Sequence, residues 1–159
     1  MGHHLMARPD VFAALVSSDV IRDQLFPRPK FTNAEHNMVF EYMHKEIKKA
    51  LRLGYVTIAD ATNLRERHRI PLRAYAAAFN APIYEFFITT PQEERERRIR
   101  DRKRGDVEST IMAARKMEQY IEKPVNAVAL DGTQPVADLV KCVLSVVELS
   151  DGSDSTVSS

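Results

Sequence analysis

The sequence predicts an α/β fold with a parallel sheet. Short apolar runs recur along the chain, and each is followed by a longer segment whose apolar residues have the spacing of one helix face. The runs are rich in β-branched and aromatic residues, as strands are. Strands that alternate with helices usually lie parallel in one sheet, and 159 residues are enough for one domain with its own core.

Four strands and six helices are predicted, and particular residues mark the helix ends. In chain order the strands span 11–16, 55–59, 83–89 and 126–130, and the helices span 19–25, 33–53, 70–79, 91–104, 108–121 and 135–149. Thr32 and Glu35 have capping-box spacing, and Gly54 fits a C-terminal cap. Pro71 is expected in the first turn of its helix, where a missing N–H breaks no hydrogen bond.

Composition and charge exclude several classes of protein. The 23 basic and 22 acidic residues give a net charge of +1, so only local clusters could favour nucleic acid. A single cysteine, Cys142, excludes an internal disulfide and fits a reducing compartment. No apolar run reaches the roughly 18 residues of a membrane span, no secretion signal is present, and the five histidines have no metal-ligand spacing.

We therefore expect a cytoplasmic protein with a single domain at residues 9–149. Residues 1–8 are interpreted as an irregular start or a tag, and the Ser-rich residues 150–159 as a disordered tail. No internal repeat or second domain is evident.

Polar residues follow the first predicted strand directly. Asp19 and Arg22 lie three residues apart in the first turns of a helix, so they share one helix face. An acid there could accept a proton from an attacking hydroxyl, and the arginine could hold a phosphate of the substrate. The alternative is an ordinary helix start, since an acid near the N-terminus stabilises the helix dipole.

The second predicted strand ends in Asp60, followed by Thr62 and Asn63. Ligands of open α/β sheets bind at the carboxyl ends of the strands, and an aspartate there can bind magnesium or a magnesium-bound water. The alternative is an Asx-type turn, which Asp and Asn form without any ligand.

A dense run of arginines marks the fourth predicted helix. Arg98 and Arg102 are four residues apart and share one helix face, so together they could close over phosphates as a lid. The alternative is a solvated face, because the same helix carries several acids that could pair with the arginines.

Together these segments resemble the P-loop kinases of the polynucleotide-kinase and zeta-toxin-like group, which have an AAA-type ATP-binding kinase domain. The matching residues are Ser-Ser-Asp19-x-x-Arg22, Asp60-Ala-Thr-Asn63-Leu and Arg98-x-x-x-Arg102. They occur in the order of that group, and the resemblance extends over residues 11–145. Of the three motifs, Asp-Ala-Thr-Asn-Leu is the most specific.

On the acceptor side, the resemblance implies four roles. Asp19 corresponds to the general base that activates the acceptor hydroxyl, and Arg22 to the arginine that holds a phosphate of the acceptor. Asn63 and Arg69 correspond to positions that bind the acceptor.

On the donor side, the resemblance implies ATP and Mg²⁺. Asp60 corresponds to the strand-end acid at the metal, with a catalytic role. Arg98 and Arg102 correspond to lid arginines that contact the phosphates of the nucleotide and assist catalysis.

One part of the family pattern is absent from the sequence. The motif Gly-x-x-x-x-Gly-Lys-Ser/Thr, whose amides and lysine hold the phosphates, has no match among Gly2, Gly54, Gly105, Gly132 and Gly152. The resemblance therefore implies a three-layer P-loop kinase fold whose first, central strand is missing from between the second and third strands. Those strands could pair directly, a partner or second copy could donate a strand, or the chain could be truncated at its N-terminus, which we favour.

The expected function is that of a kinase-type domain that moves the ATP γ-phosphate to a hydroxyl, with a polynucleotide 5′-hydroxyl as the lead acceptor. Without the phosphate-binding loop, we expect weak activity or none. One alternative is a non-catalytic module that binds phosphate or single-stranded nucleic acid. The other is an assembly protein that forms homo-oligomers through unpaired sheet edges.

Overall fold

A computed structural model describes residues 12–102 and 105–151, with side chains as far as residue 147. The strands are β1 (Ala13–Ser17), β2 (Val56–Asp60), β3 (Phe86–Thr89) and β4 (Val128–Asp131); the helices are α1 (Ser18–Leu25), α2 (Asn33–Arg52), α3 (Glu66–Ala78), α4 (Gln92–Arg102), α5 (Val107–Glu118) and α6 (Val136–Asp151). Strands alternate with helices, which confirms the predicted α/β class. The predictions for residues 1–8 and for 152–159 of the tail lie outside the described residues.

The described strands form two separate two-stranded parallel sheets. β1 pairs with β2, and β3 pairs with β4. Neither sheet therefore pairs the second strand with the third, which is one of the three arrangements considered for the missing strand. The chain also divides into two compact units, which contain one sheet each: unit 1 comprises the described residues up to 63 together with 67–83, and unit 2 comprises 64–66 and the described residues from 84 onward.

The core of unit 1 is formed by one face of α2 against α1 and β1. Val39, Met43 and Ile47 recur every four residues along α2 and are buried, as the helical period of the sequence predicts. They pack with Val16 of β1 and Ile21 of α1 in one apolar cluster. This cluster holds the first turns of α1 against the end of β1, which fixes where the polar residues after β1 lie.

Two helix ends in unit 1 match their sequence signals. Thr32 caps α2 by accepting a hydrogen bond from the Glu35 amide at 3.3 Å, and Gly54 follows the helix with a φ of +73° that favours glycine. The reciprocal half of the capping box is not formed. The Glu35 carboxylate instead accepts the Lys30 amide at 2.9 and 3.1 Å.

The predicted start of α3 is wrong, because the helix begins at Glu66 and Pro71 lies in its interior. An interior proline removes a helical hydrogen bond and disfavours a helix. The start of the helix is stabilised from a distance, since the Glu122 carboxylate accepts the Glu66 amide at 2.7 Å. A cap that is 56 residues away in sequence leaves no local signal.

In unit 2 a buried carboxylate links α4 to α5. Glu96 accepts hydrogen bonds from Arg115 Nε at 2.7 Å and Nη2 at 2.9 Å, and from Gln92 Nε2 at 2.7 Å. The hydrogen bonds from Arg115 and then Gln92 lower the pKa of Glu96 from 4.5 to about 2. Such donors favour the charged carboxylate over the protonated form.

This lowered pKa predicts a loss of stability in acid. The stabilisation of the fold by charged Glu96 is complete above the unfolded-state pKa of 4.5 and disappears as the pH falls toward about 2. The reason is that the unfolded chain binds a proton in this range, whereas Glu96 of the folded chain stays charged. We expect the free energy of unfolding of the wild type to decline more steeply than that of Glu96→Gln between about pH 5 and pH 2. Chemical denaturation at each pH measures this. Glu93→Gln, at an exposed residue of the same helix, should keep the wild-type slope, and equal slopes for Glu96→Gln and wild type would contradict the prediction.

Candidate functional site

The ends of β1 and β2 lie side by side. The parallel register pairs Ser17 with Asp60, the last residue of each strand. Asp19 and Arg22 follow the first strand within α1, and Asn63 follows the second by three residues. All four predicted residues therefore lie at or just after the carboxyl ends of the strands of the same sheet, where α/β folds place their sites. Their chemical roles stay predictions.

Arg22 is a buried cation for which the described residues supply no anionic partner. Its residue is 7% exposed, and it forms no ion pair with any residue that the structure describes. Nη2 lies 3.3 Å from His36 Nδ1, and the Phe31 ring centroid lies 5.0 Å from the guanidinium carbon. Nη1 has no hydrogen-bond partner in residues 12–102 and 105–151. A buried charge is destabilising by several kcal/mol unless it is paired, so this arrangement favours an anion supplied by a ligand.

Phe31 covers the guanidinium from a strained position. Its φ is +55°, a left-handed conformation that is rare for a bulky side chain, and its residue is 72% exposed. The neighbouring Lys30 amide is held by the Glu35 carboxylate, which helps to fix the loop before α2. An exposed aromatic ring held over a cation in this way is a surface on which a ligand could stack, and strained residues of this kind cluster at functional sites.

Asn63 has a buried acceptor that lacks a donor, whereas Arg22 has a buried donor that lacks an acceptor, among the described residues. Its side-chain Oδ1 is buried and accepts no hydrogen bond within the described part of the chain, and its φ of +40° is one that asparagine tolerates. Its main-chain oxygen accepts Arg69 Nη1 at 2.8 Å, and Arg69 is itself buried. A buried acceptor without a donor is unfavourable, so a ligand hydroxyl or amine would satisfy this atom.

Asp19 and Asp60 are both exposed, and neither side-chain carboxylate forms a hydrogen bond or ion pair with the described residues. No group of three His, Cys, Asp or Glu side chains in that part of the chain could hold a metal ion. Mg²⁺ can bind through a single carboxylate when nucleotide phosphates and water supply its other ligands, but one carboxylate does not form a resident metal site. We therefore assign no step to a metal.

In unit 2 the predicted lid arginines differ in their surroundings. Arg98 donates from Nε to Glu94 at 2.7 Å and from Nη2 to the Gly132 carbonyl at 2.8 Å, so it is fixed on the turn after β4. A Cβ at position 132 would collide with Thr90 Oγ1, so only glycine fits this turn. Arg102 is exposed and pairs with no acid among the described residues.

The other arginines of α4 form ion pairs within unit 2. Such pairs are what a solvated helix face predicts. Arg97 pairs with Glu94 at 2.8 Å and with Asp101 at 2.9 Å, and Arg95 pairs with Glu118. Hydrogen bonds from Arg97, then Arg98, lower the pKa of Glu94 to about 2. Nucleotide contacts by Arg98 and Arg102 stay predictions.

A cavity of about 360 Å³ in unit 1 is separate from these residues. It is lined by β1 and by side chains of α1 and α2, including Val20 and Tyr42, and contains none of the predicted site residues. Phe31 and His36, which both contact Arg22, were not predicted from the sequence. Neither belongs to a motif, and His36 is fourteen residues away in sequence.

Comparison with known proteins identifies the family. The sequence matches the AAA domain family (AAA_33) over residues 1–124. The chain belongs to this family. Among curated protein sequences, none matches the chain at a significant level.

Three solved structures with a similar fold are two kinases and a resistance protein. The APS kinase CysC of Mycobacterium tuberculosis, in complex with AMPPNP and APS, has a TM-score of 0.70 and 16% identity, with 92% of this chain and 86% of that chain covered. A gluconokinase from Sinorhizobium meliloti 1021 has a TM-score of 0.69 and 14% identity, with 99% and 89% covered. The tunicamycin resistance protein of Deinococcus radiodurans has a TM-score of 0.53 and 19% identity, with 91% and 88% covered.

These likenesses show that the fold is α/β and similar to that of P-loop kinases. The family match agrees with the AAA-type kinase domain that the sequence motifs resemble, and membership of the polynucleotide-kinase and zeta-toxin-like group stays a prediction. Within the described residues, no helix combines the length and the apolar character needed to cross a membrane.

Proposed function

We propose that the chain is a phosphotransferase-type domain whose unit 1 binds an acceptor that carries both an anionic group and a hydroxyl. The observation that carries this proposal is a pair of buried atoms that find no hydrogen-bond partner in the described part of the chain, the donor Arg22 Nη1 and the acceptor Asn63 Oδ1. Native proteins satisfy nearly all such atoms. A ligand with an anion for the arginine and a hydroxyl for the asparagine would satisfy both.

The family and the fold support the phosphotransferase class. The named substrates of two structural neighbours have the same chemistry, since APS and the gluconate of a gluconokinase are anions that carry hydroxyl groups. In the proposed site Asp19 accepts the proton of the attacking hydroxyl. Its exposed carboxylate has no competing partner among the described residues, so it is available for that role.

The lead acceptor is a polynucleotide 5′-hydroxyl, and a small anionic polyol is the second candidate. A 5′-terminal nucleotide carries a hydroxyl, a 3′-phosphate and a base. The exposed ring of Phe31 over Arg22 favours this acceptor, because bases stack on aromatic side chains. The structural neighbours favour the polyol.

The donor side of the proposal predicts little turnover. With ATP, Mg²⁺ and an oligonucleotide that has a 5′-hydroxyl, we expect phosphate transfer at least about a thousandfold below the 1–100 s⁻¹ of ordinary kinases. The reason is that no Gly-x-x-x-x-Gly-Lys-Ser/Thr segment occurs in these 159 residues. Radiolabel transfer with the purified chain measures this, and turnover near 1 s⁻¹ would contradict the prediction.

Equilibrium binding tests the acceptor side without any turnover. Thymidine 3′-monophosphate, a short 5′-hydroxyl oligonucleotide and gluconate are titrated against the chain, each in parallel with Asn63→Asp. The variant places a carboxylate where the buried amide oxygen lies, so it should repel every anionic acceptor that the site binds. Equal affinity of Asn63→Asp and wild type for all three compounds would refute the proposed site.

The salt dependence of oligonucleotide binding separates a kinase-type acceptor site from a nucleic-acid binding module. A site that holds one phosphate gives a slope of about −1 in log affinity against log salt, and a module that follows the backbone gives a slope of several units. The absence of a phosphate-binding loop favours the module as the second candidate function. A steep slope together with no transfer would support it.

A further inference from the structure

We propose that His36 is a positioning residue of the acceptor site. Its neutral imidazole holds the guanidinium of Arg22 through Nδ1 and leaves Nη1 for the anion of the acceptor. This inference rests on the proposed function, because it concerns how Arg22 is prepared for binding. The contact that carries it is the 3.3 Å separation of Arg22 Nη2 and His36 Nδ1.

The chemistry of the contact fixes the protonation state of the imidazole. A guanidinium has only donors, and arginine stays protonated in proteins. His36 Nδ1 must therefore accept the hydrogen bond with its lone pair, so the single ring proton of the neutral imidazole lies on Nε2. A doubly protonated ring would have a donor facing a donor and a cation beside a cation.

The surroundings of His36 hold the ring in place. Its main-chain amide donates to the Thr32 carbonyl at 2.9 Å in the first turn of α2, and its ring lies 4.6 Å from the Phe40 centroid. Burial, and then the charge of Arg22, lower the pKa of His36 from 6.5. Both effects favour the neutral form that the hydrogen bond requires.

The titratable groups near His36 come from three helices. Arg22 approaches from α1, and His68 of α3 contacts the other side of Phe40 at 5.8 Å between ring centroids. On α2 itself the neighbours are Glu35, which binds the Lys30 amide, and His44, whose ring lies 6.2 Å from that of Phe40. Of these groups, Arg22 is the one whose charge lowers the pKa of His36.

The effect on binding is one of preorganisation. Arg22 is held at one edge by His36 and over its face by Phe31. An arginine held in this way loses little conformational freedom when an anion binds. Without His36, Arg22 would have to be ordered during binding, and its affinity for anions would fall.

Sulfate is the probe for this inference, since its charge does not change across the neutral pH range. We expect His36→Ala to weaken sulfate binding about tenfold through loss of a hydrogen bond to a charged group. His36→Asn should restore most of the affinity, because its Oδ1 lies where Nδ1 did and accepts the same donor. The matched control is His44→Asn, on the same helix, since His44 contacts Tyr75 and has a pKa that burial also lowers; it should bind sulfate as the wild type does.

A spectroscopic measurement tests the contact independently of binding. Nitrogen NMR of the imidazole should show the Nε2–H tautomer for His36. Arg22→Met should raise the pKa of His36, because it removes the nearby cation, and leave that of His44 unchanged. If neither result is found, His36 does not contact Arg22 as proposed and the inference is overturned.

Failures of the inference and of the proposed function are distinguishable. If Arg22→Met abolishes sulfate binding while His36→Ala binds as the wild type does, the positioning role is refuted and the acceptor site stands. If Arg22→Met binds sulfate as well as the wild type, the acceptor site itself is refuted. Should His36→Ala fail to fold, the tautomer in the wild type decides, and an Nδ1–H tautomer would overturn the inference.

Discussion

Arg22→Met is expected to lose anion binding without losing stability. The guanidinium is buried and has no anionic partner among the described residues. Removing a buried charge from a ligand contact weakens binding by about 2–5 kcal/mol, which is thirtyfold or more. The same change removes an unpaired charge from an apolar setting and replaces it with an apolar side chain of similar length. The free energy of unfolding should therefore stay the same or rise.

This combination separates a binding residue from a structural one. An arginine that is structural because it pairs with a carboxylate would lose stability on substitution, since that carboxylate would be left unpaired. Chemical denaturation and sulfate titration of the same protein sample measure both quantities. Arg28→Met serves as the control, because Arg28 is an exposed arginine in the loop that follows α1 and should change neither. A less stable Arg22→Met that still binds sulfate would contradict the account.

Met43→Ala is expected to have the largest effect on stability. Met43 is 1% exposed at the centre of the core of unit 1. Truncating a buried methionine to alanine removes its apolar contacts and leaves a cavity, which destabilises a protein by about 2–5 kcal/mol. Because the same cluster holds α1 against β1, anion binding at Arg22 should weaken as the core loosens.

Met38→Ala is the matched control on the same helix. Met38 is 53% exposed, so its truncation should change the free energy of unfolding by less than about 0.5 kcal/mol. Thermal or denaturant unfolding of the two variants measures the difference. Similar losses for both would mean that α2 does not bury the face that the sequence and structure assign to it.

Much of the fold could be predicted because its signals are local. The period of Val39, Met43 and Ile47 predicts the buried face of α2, and Gly54 predicts where that helix ends. The alternation of strands and helices predicts parallel strands, and the parallel pairing of β1 with β2 agrees. Each of these signals depends on residues within a few positions of one another.

The features that could not be predicted depend on contacts between distant residues. The early start of α3 requires Glu122, far along the chain. The third strand begins at Phe86 and not at the predicted Ile83, and its start is the residue that pairs with Val128, the first residue of β4. The contact of His36 with Arg22 joins two helices, and no spacing in the sequence reveals it.

An acceptor site in unit 1 requires that one ligand satisfies both Arg22 Nη1 and Asn63 Oδ1, the two buried atoms without a partner among the described residues. A side-chain NMR titration with thymidine 3′-monophosphate tests this directly, with the Arg22 guanidinium and the Asn63 carboxamide observed together. We predict that both signals shift along the same saturation curve, since the phosphate would bind the arginine and the hydroxyl the asparagine. If neither signal moves at any ligand concentration while the chain stays folded, and gluconate and sulfate also leave both unchanged, the proposed acceptor site does not exist.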